Sequence, residues 1–168
     1  MKNIILSNKK FFLFFSLFLF SILINQHYAS RGIFPIDSFL IFDAAYNITS
    51  GNHPFKDYWL ITGPFLDYFQ ALFFLIFGVN WFSYVLHASL LNSILTLFSF
   101  YFFTKIGLSN LYAFIYSVGV SILAYPPVGT PFIDMHSIIF CMLALYTFSL
   151  AILEKKKILW FLTSIFLV

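Results

Sequence analysis

The stretch that decides the fold is "FFLFFSLFLFSILI", residues 11–24, which contains fourteen consecutive residues without a charge. The rest of the chain has the same character, because 61% of its 168 residues are hydrophobic and only 9% are charged. A soluble domain of this length carries roughly a quarter charged residues, since its surface faces water. The composition therefore predicts an integral membrane protein with an all-α fold, a polytopic transmembrane helical bundle within the lipid bilayer.

The first apolar segment has two interpretations. A basic start followed by an apolar run is typical of a cleaved signal peptide. However, His27 stands where a cleavage site before Ser30 would need a small residue, at position −3 counted with Ala29 as −1. We therefore favour an uncleaved first transmembrane helix over residues 11–29.

The later apolar stretches predict the remaining spans of one membrane domain, 1–168. We expect spans at 64–104, 109–125 and 137–153, and an incomplete span at 158–168. The 64–104 stretch is taken as one net crossing, with a re-entrant first part or a bend at Gly78. Because the apolar run is still open at Val168, we expect the chain to be the N-terminal fragment of a longer module.

Basic residues predict the sidedness of these spans. Lysines next to spans mark the cytoplasmic side of a membrane. With a single net crossing over 64–104, the lysines at 9–10, 105 and 155–157 all lie inside. This predicts a multi-pass protein of the plasma or inner membrane with a cytoplasmic N-terminus and outer loops at 30–63 and 126–136. Lysines at span ends also explain the net charge without any nucleic-acid partner.

Four of the six carboxylates are concentrated in residues 35–69, at Asp37, Asp43, Asp57 and Asp67. An aspartate in the centre of a membrane helix costs ~2.5–3.5 kcal/mol. We therefore expect these four side chains to contact water, a partner group or a substrate.

The first half of this acidic segment predicts a short amphipathic helix lying on the membrane surface. The apolar spacing of Phe39, Phe42 and Tyr46 between positions 37 and 50, closed by Gly51, favours that conformation. Asp37 then has two open interpretations. It caps the first turn of this helix by accepting a backbone N–H, or it takes part in chemistry.

The order of residues around these acids resembles the first outer loop of the GT-C glycosyltransferases. These polytopic enzymes are related to protein O-mannosyltransferases and to the aminoarabinose transferase of lipid A. The matching features are Asp37, the pair Ser50–Gly51 and the proline element that ends "HPFKDYWLITGP", 53–64. In "TPFIDMHSIIFCMLALY", 130–146, Asp134 matches the acidic residue of the next outer loop.

The resemblance spans residues 11–153, as the N-terminal part of a family member, with two departures. The chain has Thr62-Gly63-Pro64 where many relatives have Lys-Pro-Pro, so a lysine expected near the phosphate is missing. Ser38 stands where many relatives have a second acidic residue.

The resemblance implies transfer of a sugar from a polyprenyl-phosphate donor to a glycan, lipid or protein acceptor at the outer membrane face. Asp37 would be the catalytic general base or would orient the acceptor. The implied donor- and acceptor-binding residues are Asp57, Lys56, His53, Asp134 and His136, the cations among them contacting phosphate. A divalent Mg or Mn ion, if one is used, would be held through oxygen by Asp37 and Asp134. For His136, the alternative is a polar residue that solvates the end of a loop.

Two other functions stay open: a transporter or flippase fragment, and a non-catalytic accessory or scaffold protein of the membrane. A transporter predicts ionisable groups deep in helices and broken helical segments. Within the 64–104 stretch, His87 and Asn92 are predicted to face the bundle interior and to form interhelical hydrogen bonds.

Overall fold

The described residues of this chain, 2–32, 39–60 and 63–167 of the computed structural model, form seven helices and no strand of a sheet. This confirms the prediction of an all-α bundle. The helices are Lys2–Ala29 (α1), Leu40–Thr49 (α2), Phe65–Phe77 (α3), Trp81–Lys105 (α4), Asn110–Leu123 (α5), Ile133–Glu154 (α6) and Lys157–Leu167 (α7).

Three of the described helices are long and apolar enough to cross a membrane: Lys10–Ala29 of α1, the whole of α4 and the whole of α6. The 25 residues of α4 extend over about 37 Å at 1.5 Å per residue, which exceeds the ~30 Å hydrocarbon core of a bilayer. Helices α3, α5 and α7 are apolar but shorter. The length and composition of the three long helices, α1, α4 and α6, identify the chain as a membrane protein.

Helix α4 is the centre of the bundle, and side-chain pairs give the direction of its neighbours. Helix α1 runs antiparallel to α4, because Asn25 bonds Ser89 near one end and Phe14 packs on Phe100 near the other. Helix α6 runs parallel to α4, as shown by hydrogen bonds that join residue 87 to 136 and residue 99 to 146.

This arrangement gives the bundle two ends. At the first, Trp81 Nε1–H donates to the carbonyl of Ala29 over 3.3 Å, and Gly129 approaches the same residue; we call it the Trp81 end. At the second, Lys105 and Lys156 both pair with Glu154; we call it the Lys105 end.

Helices α3 and α4 are separated by a sharp break. Gly78 ends α3 with a φ of 82°, in the left-handed region that favours glycine. Asn80 then caps α4 by accepting from Ser83 N–H over 2.9 Å, and its amide donates to the carbonyl of Phe77 over 2.9 Å. The predicted bend at Gly78 is therefore a complete interruption. Hydrogen bonds and ring contacts join residues 69–74 of α3 to residues 83–87 of α4.

The predicted surface helix over 37–50 is present as α2, but it buries a different face. Ile41, Ala44 and Ala45 are buried, whereas Phe39 and Tyr46 are each 51% exposed. The reason is that α2 packs against α3, and its alanines allow the two helices to approach closely. Phe42 alone of the three predicted apolar positions packs inward, with its ring 4.9 Å from that of Phe74 and 5.1 Å from that of Tyr84.

Helix α5 stops beside the middle of α4, where Asn92 binds three backbone groups. The Asn92 amide donates to the carbonyls of Ser21 and Ser121, and its Oδ1 accepts from Tyr125 N–H over 3.4 Å. This confirms the prediction that Asn92 faces the interior and joins helices. It also satisfies backbone groups that a helix ending at this depth would otherwise leave unpaired.

Candidate functional site

Helices α2 and α3 and the segment between them form a unit that packs at the Trp81 end of the bundle. Its apolar core contains Ile41, Ala45, Leu66, Phe74 and Tyr84, with Trp81 and Ile133 packed against it. Because Ile133 opens α6, the start of α6 lies beside the α2–α3 unit. The two acidic regions predicted as outer loops are therefore close to one end of the molecule.

A compact turn over residues 53–59, the 53–59 turn, carries three of the predicted binding residues. His53 N–H donates to Asp57 Oδ2 over 2.8 Å, and Asp57 N–H donates back to the His53 carbonyl over 2.9 Å. Phe55 N–H donates to the Tyr58 carbonyl, and Phe55 has a φ of 64°. A positive φ at a phenylalanine costs about 1–3 kcal/mol. The hydrogen bonds of the turn hold the backbone in this conformation despite that cost.

The side chains of the 53–59 turn face outward. His53, Lys56 and Asp57 are exposed, and His53 Nδ1 lies 3.4 Å from the hydroxyl of Tyr68. Within the part of the chain that the structure describes, Asp57 forms no ion pair with Lys56. Asp57 instead stabilises the turn, which leaves the Lys56 ammonium group open to a ligand.

Several predicted site positions lie outside the described residues. Asp37, the predicted catalytic carboxylate, is one of them, and so are Ser38 and Thr62. Pro64, the proline of the matching element, occupies the N-cap position of α3.

Asp134 and His136 are placed on different faces of α6. Asp134 is exposed in the first turn, whereas His136 is 2% exposed. Residues two apart on a helix point roughly 160° away from each other. The interpretation of His136 as a residue that solvates a loop end is therefore wrong.

His136 belongs to a row of buried side chains that we call the histidine chain: Gln70, His87, His136 and Tyr125. His87 Nδ1 lies 2.9 Å from Gln70 Oε1, and His87 Nε2 lies 2.9 Å from His136 Nε2. His136 Nδ1 lies 2.7 Å from the Tyr125 hydroxyl. The histidine chain joins α3, α4 and α6 to the segment that precedes α6. It confirms that His87 faces the interior.

The protons of the histidine chain can be assigned from its end at Gln70. The Gln70 amide Nε2 faces the Ser83 carbonyl at 3.4 Å, which leaves Oε1 to accept from His87 Nδ1–H. A neutral imidazole then accepts at its other nitrogen. His136 Nε2–H therefore donates to His87, and the Tyr125 hydroxyl donates to His136 Nδ1.

A second proton arrangement is available to the same atoms. The Phe132 carbonyl lies 2.8 Å from His136 Nδ1, which favours a proton on that nitrogen. If the Gln70 amide turns over, each proton can sit on the opposite atom of its hydrogen bond. The two arrangements differ in the orientation of the Gln70 amide and in the positions of the protons, and such alternation is the property that a proton relay needs.

Asp67 is buried, unlike the exposed acids of the same segment. It was expected to contact water, a partner group or a substrate; it is 2% exposed in the first turn of α3, which excludes bulk water, and Oδ2 has no hydrogen-bond partner among the described residues. Burial raises the pKa of Asp67 to about 6. Burial, followed by the nearby Asp67 charge, raises the pKa of the Tyr58 phenol to about 12. The sequence shows a carboxylate near the start of an apolar stretch, but it does not show that other elements of the fold cover it.

We expect Asp67→Asn to stabilise the protein at neutral pH. The folded-state pKa of Asp67 exceeds its ordinary value of 3.8, so the folded state holds this proton more tightly than the unfolded state. Stability is therefore lost as pH rises from about 4 through about 6, by on the order of 3 kcal/mol. Asparagine does not ionise, so the variant should unfold at a higher temperature than the parent at about pH 7.5.

The measurement is the unfolding midpoint in detergent micelles at several pH values between about 4 and about 7.5. Asp43→Asn is the matched control, because Asp43 is exposed on α2 and loses the same charge. Equal pH slopes for the parent and Asp67→Asn would contradict the prediction.

The described side chains do not group into a metal centre. Within the ranges 2–32, 39–60 and 63–167, no group of three or more His, Cys, Asp or Glu side chains is placed to hold a metal ion. Asp134 is exposed at the start of α6, and its predicted co-ligand Asp37 lies outside the described residues. The described part of the chain thus offers no complete site for Mg or Mn.

Comparison with protein-family models, with curated proteins and with solved structures gave no match. The fold alone therefore defines the class, a helical membrane protein with the α2–α3 unit packed at one end.

Proposed function

We propose that the chain is part of a membrane glycosyltransferase that moves a sugar from a polyprenyl-phosphate donor to an acceptor at the outer face. The observation that carries the proposal is the separation of charge between the two ends. Lys105 and Lys156 meet at one end, and the α2–α3 unit with its carboxylates packs at the other. Lysines next to spans favour the cytoplasmic side, so the Trp81 end faces outward.

This orientation suits a lipid-linked donor. The donor's polyprenyl tail lies in the bilayer while its phosphate and sugar sit at the water boundary, level with the α2–α3 unit. On the 53–59 turn, the exposed Lys56 supplies positive charge for the leaving phosphate, and the exposed His53 offers a ring nitrogen for a hydrogen bond. Asp37 acts as the general base toward the acceptor. Asp134, at the start of α6, borders the same region and positions the acceptor.

The test is Asp37→Asn in the full-length protein. Loss of a general base lowers the rate by roughly 10²–10⁴-fold, so transfer of labelled sugar from polyprenyl phosphate should fall by that factor while membrane insertion is unchanged. Asp43→Asn, with the same loss of charge on exposed α2, is the control and should keep its activity. Full transfer by Asp37→Asn would remove Asp37 from the mechanism.

A second candidate function, a proton-coupled transporter or flippase fragment, is favoured by the histidine chain. Ionisable groups inside membrane helices commonly form proton relays, and His87 and His136 lie deep enough in the bundle to be fully or almost fully buried. The break at Gly78 adds a discontinuous segment, as transporters have. Proton uptake by proteoliposomes that His87→Gln abolishes would favour the transporter, while sugar transfer lost in Asp37→Asn would favour the enzyme.

A further inference from the structure

Asp67 presents a hydrogen-bond acceptor that the surrounding chain leaves unused. Its side chain is almost fully buried, and Oδ2 has no partner among the described residues. An unsatisfied buried polar group costs about 1–3 kcal/mol, and more when it is charged. The position therefore lowers stability, and residues that do so without a structural benefit are concentrated at functional sites.

Three side-chain donors of the same unit are engaged with other partners. The Tyr58 hydroxyl donates to the Ala44 carbonyl over 3.2 Å, and the Tyr68 hydroxyl is paired with His53 Nδ1. The Gln70 amide, one helical turn further along α3, faces the Ser83 carbonyl. None of these three hydrogen bonds involves Asp67.

No cation neutralises Asp67 within the described residues. The ion pairs there join Lys105 and Lys156 to Glu154 at the opposite end of the bundle. Lys56 is exposed on the 53–59 turn. An anionic group such as phosphate offers Asp67 only acceptor oxygens and a like charge, so it is unsuitable as the partner of Asp67. The partner that fits is a neutral hydrogen-bond donor.

We propose that Asp67 Oδ2 accepts a hydrogen bond from a hydroxyl group of the sugar ring that is transferred. This inference rests on the proposed function and deepens it by dividing the donor between two places. The exposed His53 and Lys56 bind the phosphate. The buried Asp67, below the 53–59 turn, binds the sugar. A sugar that lacks this hydroxyl would leave the buried Asp67 acceptor unpaired. Such a site discriminates strongly between sugars, because the unpaired group costs free energy.

The first experiment measures kcat/KM of the full-length enzyme with whichever polyprenyl-phosphate hexose or pentose it uses, and with the monodeoxy analogues of that donor. We expect Asp67→Leu to lower kcat/KM for the intact donor by roughly 10–10³-fold. One monodeoxy donor should be poor for the parent enzyme and no poorer for Asp67→Leu. If every deoxy donor loses the same factor in both enzymes, Asp67 does not contact a sugar hydroxyl. Asp43→Asn serves as the control.

A second experiment measures binding of the lipid-linked sugar without turnover. Dicyclohexylcarbodiimide is an apolar reagent that adds a protonated carboxyl across its C=N bond to form an O-acylisourea, which rearranges to a stable N-acylurea with no atom lost. We expect the Asp67 peptide to gain this mass at about pH 5. Polyprenyl-phosphate sugar should protect Asp67, whereas polyprenyl phosphate without a sugar should not.

The two experiments separate the two proposals. Protection by the sugar-bearing lipid in a protein that transfers no sugar would reject the glycosyltransferase and retain the sugar site. Transfer without protection, equal protection by both lipids, or no labelling of Asp67 would each overturn the role of Asp67.

Discussion

Gly129→Ala should be among the most damaging single substitutions in the described chain. A Cβ at position 129 would lie 2.9 Å from Ala29 Cα, 3.0 Å from Ala29 Cβ and 3.2 Å from Ala29 N. Gly129 also has a φ of 79°, which L side chains rarely adopt. The carbonyl of Gly129 accepts from Asn25 over 3.0 Å, so the loop cannot move away without losing that bond. We expect a loss of ~3–5 kcal/mol, from strain and overpacking together.

The measurement is the unfolding midpoint of the purified protein in detergent, with Gly107→Ala as the matched control. Gly107 also has a positive φ, 102°, but a Cβ there would meet nothing within 4 Å. It should therefore cost only the backbone strain, ~1–2 kcal/mol. Equal losses of stability in the two variants would show that the close approach of Gly129 to α1 does not add to the cost of a Cβ at position 129.

The second large effect is expected from His136→Leu. This substitution removes the middle of the histidine chain, so His87 Nε2 loses its buried partner and the Tyr125 hydroxyl loses one of its bonds but keeps those to the Phe132 backbone. The orphaned His87 nitrogen costs about 1–3 kcal/mol and the lost tyrosine bond about 0.5–1.5 kcal/mol, so the total loss should be ~2–4 kcal/mol. Across a chain of this size, that lowers the unfolding midpoint by roughly 5–15 °C.

A double-mutant cycle tests whether the buried groups act as one network. His87→Leu with His136→Leu should cost less than the sum of the single variants, by ~1–3 kcal/mol, because the shared bond is lost only once. Ser137→Ala is the control, since Ser137 is exposed on the neighbouring position of α6. Strict additivity would mean that the 2.9 Å contact between the two imidazoles contributes nothing.

The helical class of the fold could be predicted from the sequence because lipid imposes one strong rule. A run such as residues 11–24 has no alternative to a helix that satisfies its own backbone. The interior positions of His87 and Asn92 followed from the same rule, since polar groups in a span turn away from lipid. The face of α2 did not follow, because small alanines gave the close contact with α3 and pattern analysis counts only apolar size.

The candidate site was less predictable, for reasons that differ from residue to residue. The exposed His53, Lys56 and Asp57 come from one short segment, so their proximity follows from sequence distance alone. The contact of His87 with His136 joins positions 49 residues apart and depends on how α4 and α6 pack. The burial of Asp67 depends on α2 and the 53–59 turn covering the first turn of α3, which periodicity within α3 cannot reveal.

The early end of α5 has a consequence for the biogenesis of the protein. Its 14 residues extend over about 21 Å, less than the thickness of the hydrocarbon core, so α5 is poorly suited to integrate as an independent segment. The backbone polar groups at and beyond its last turn pair with Asn92 of α4. Helix α4 is synthesised before α5. We therefore expect the end of α5 to depend on α4, which precedes it in the chain, for the pairing of its last backbone groups.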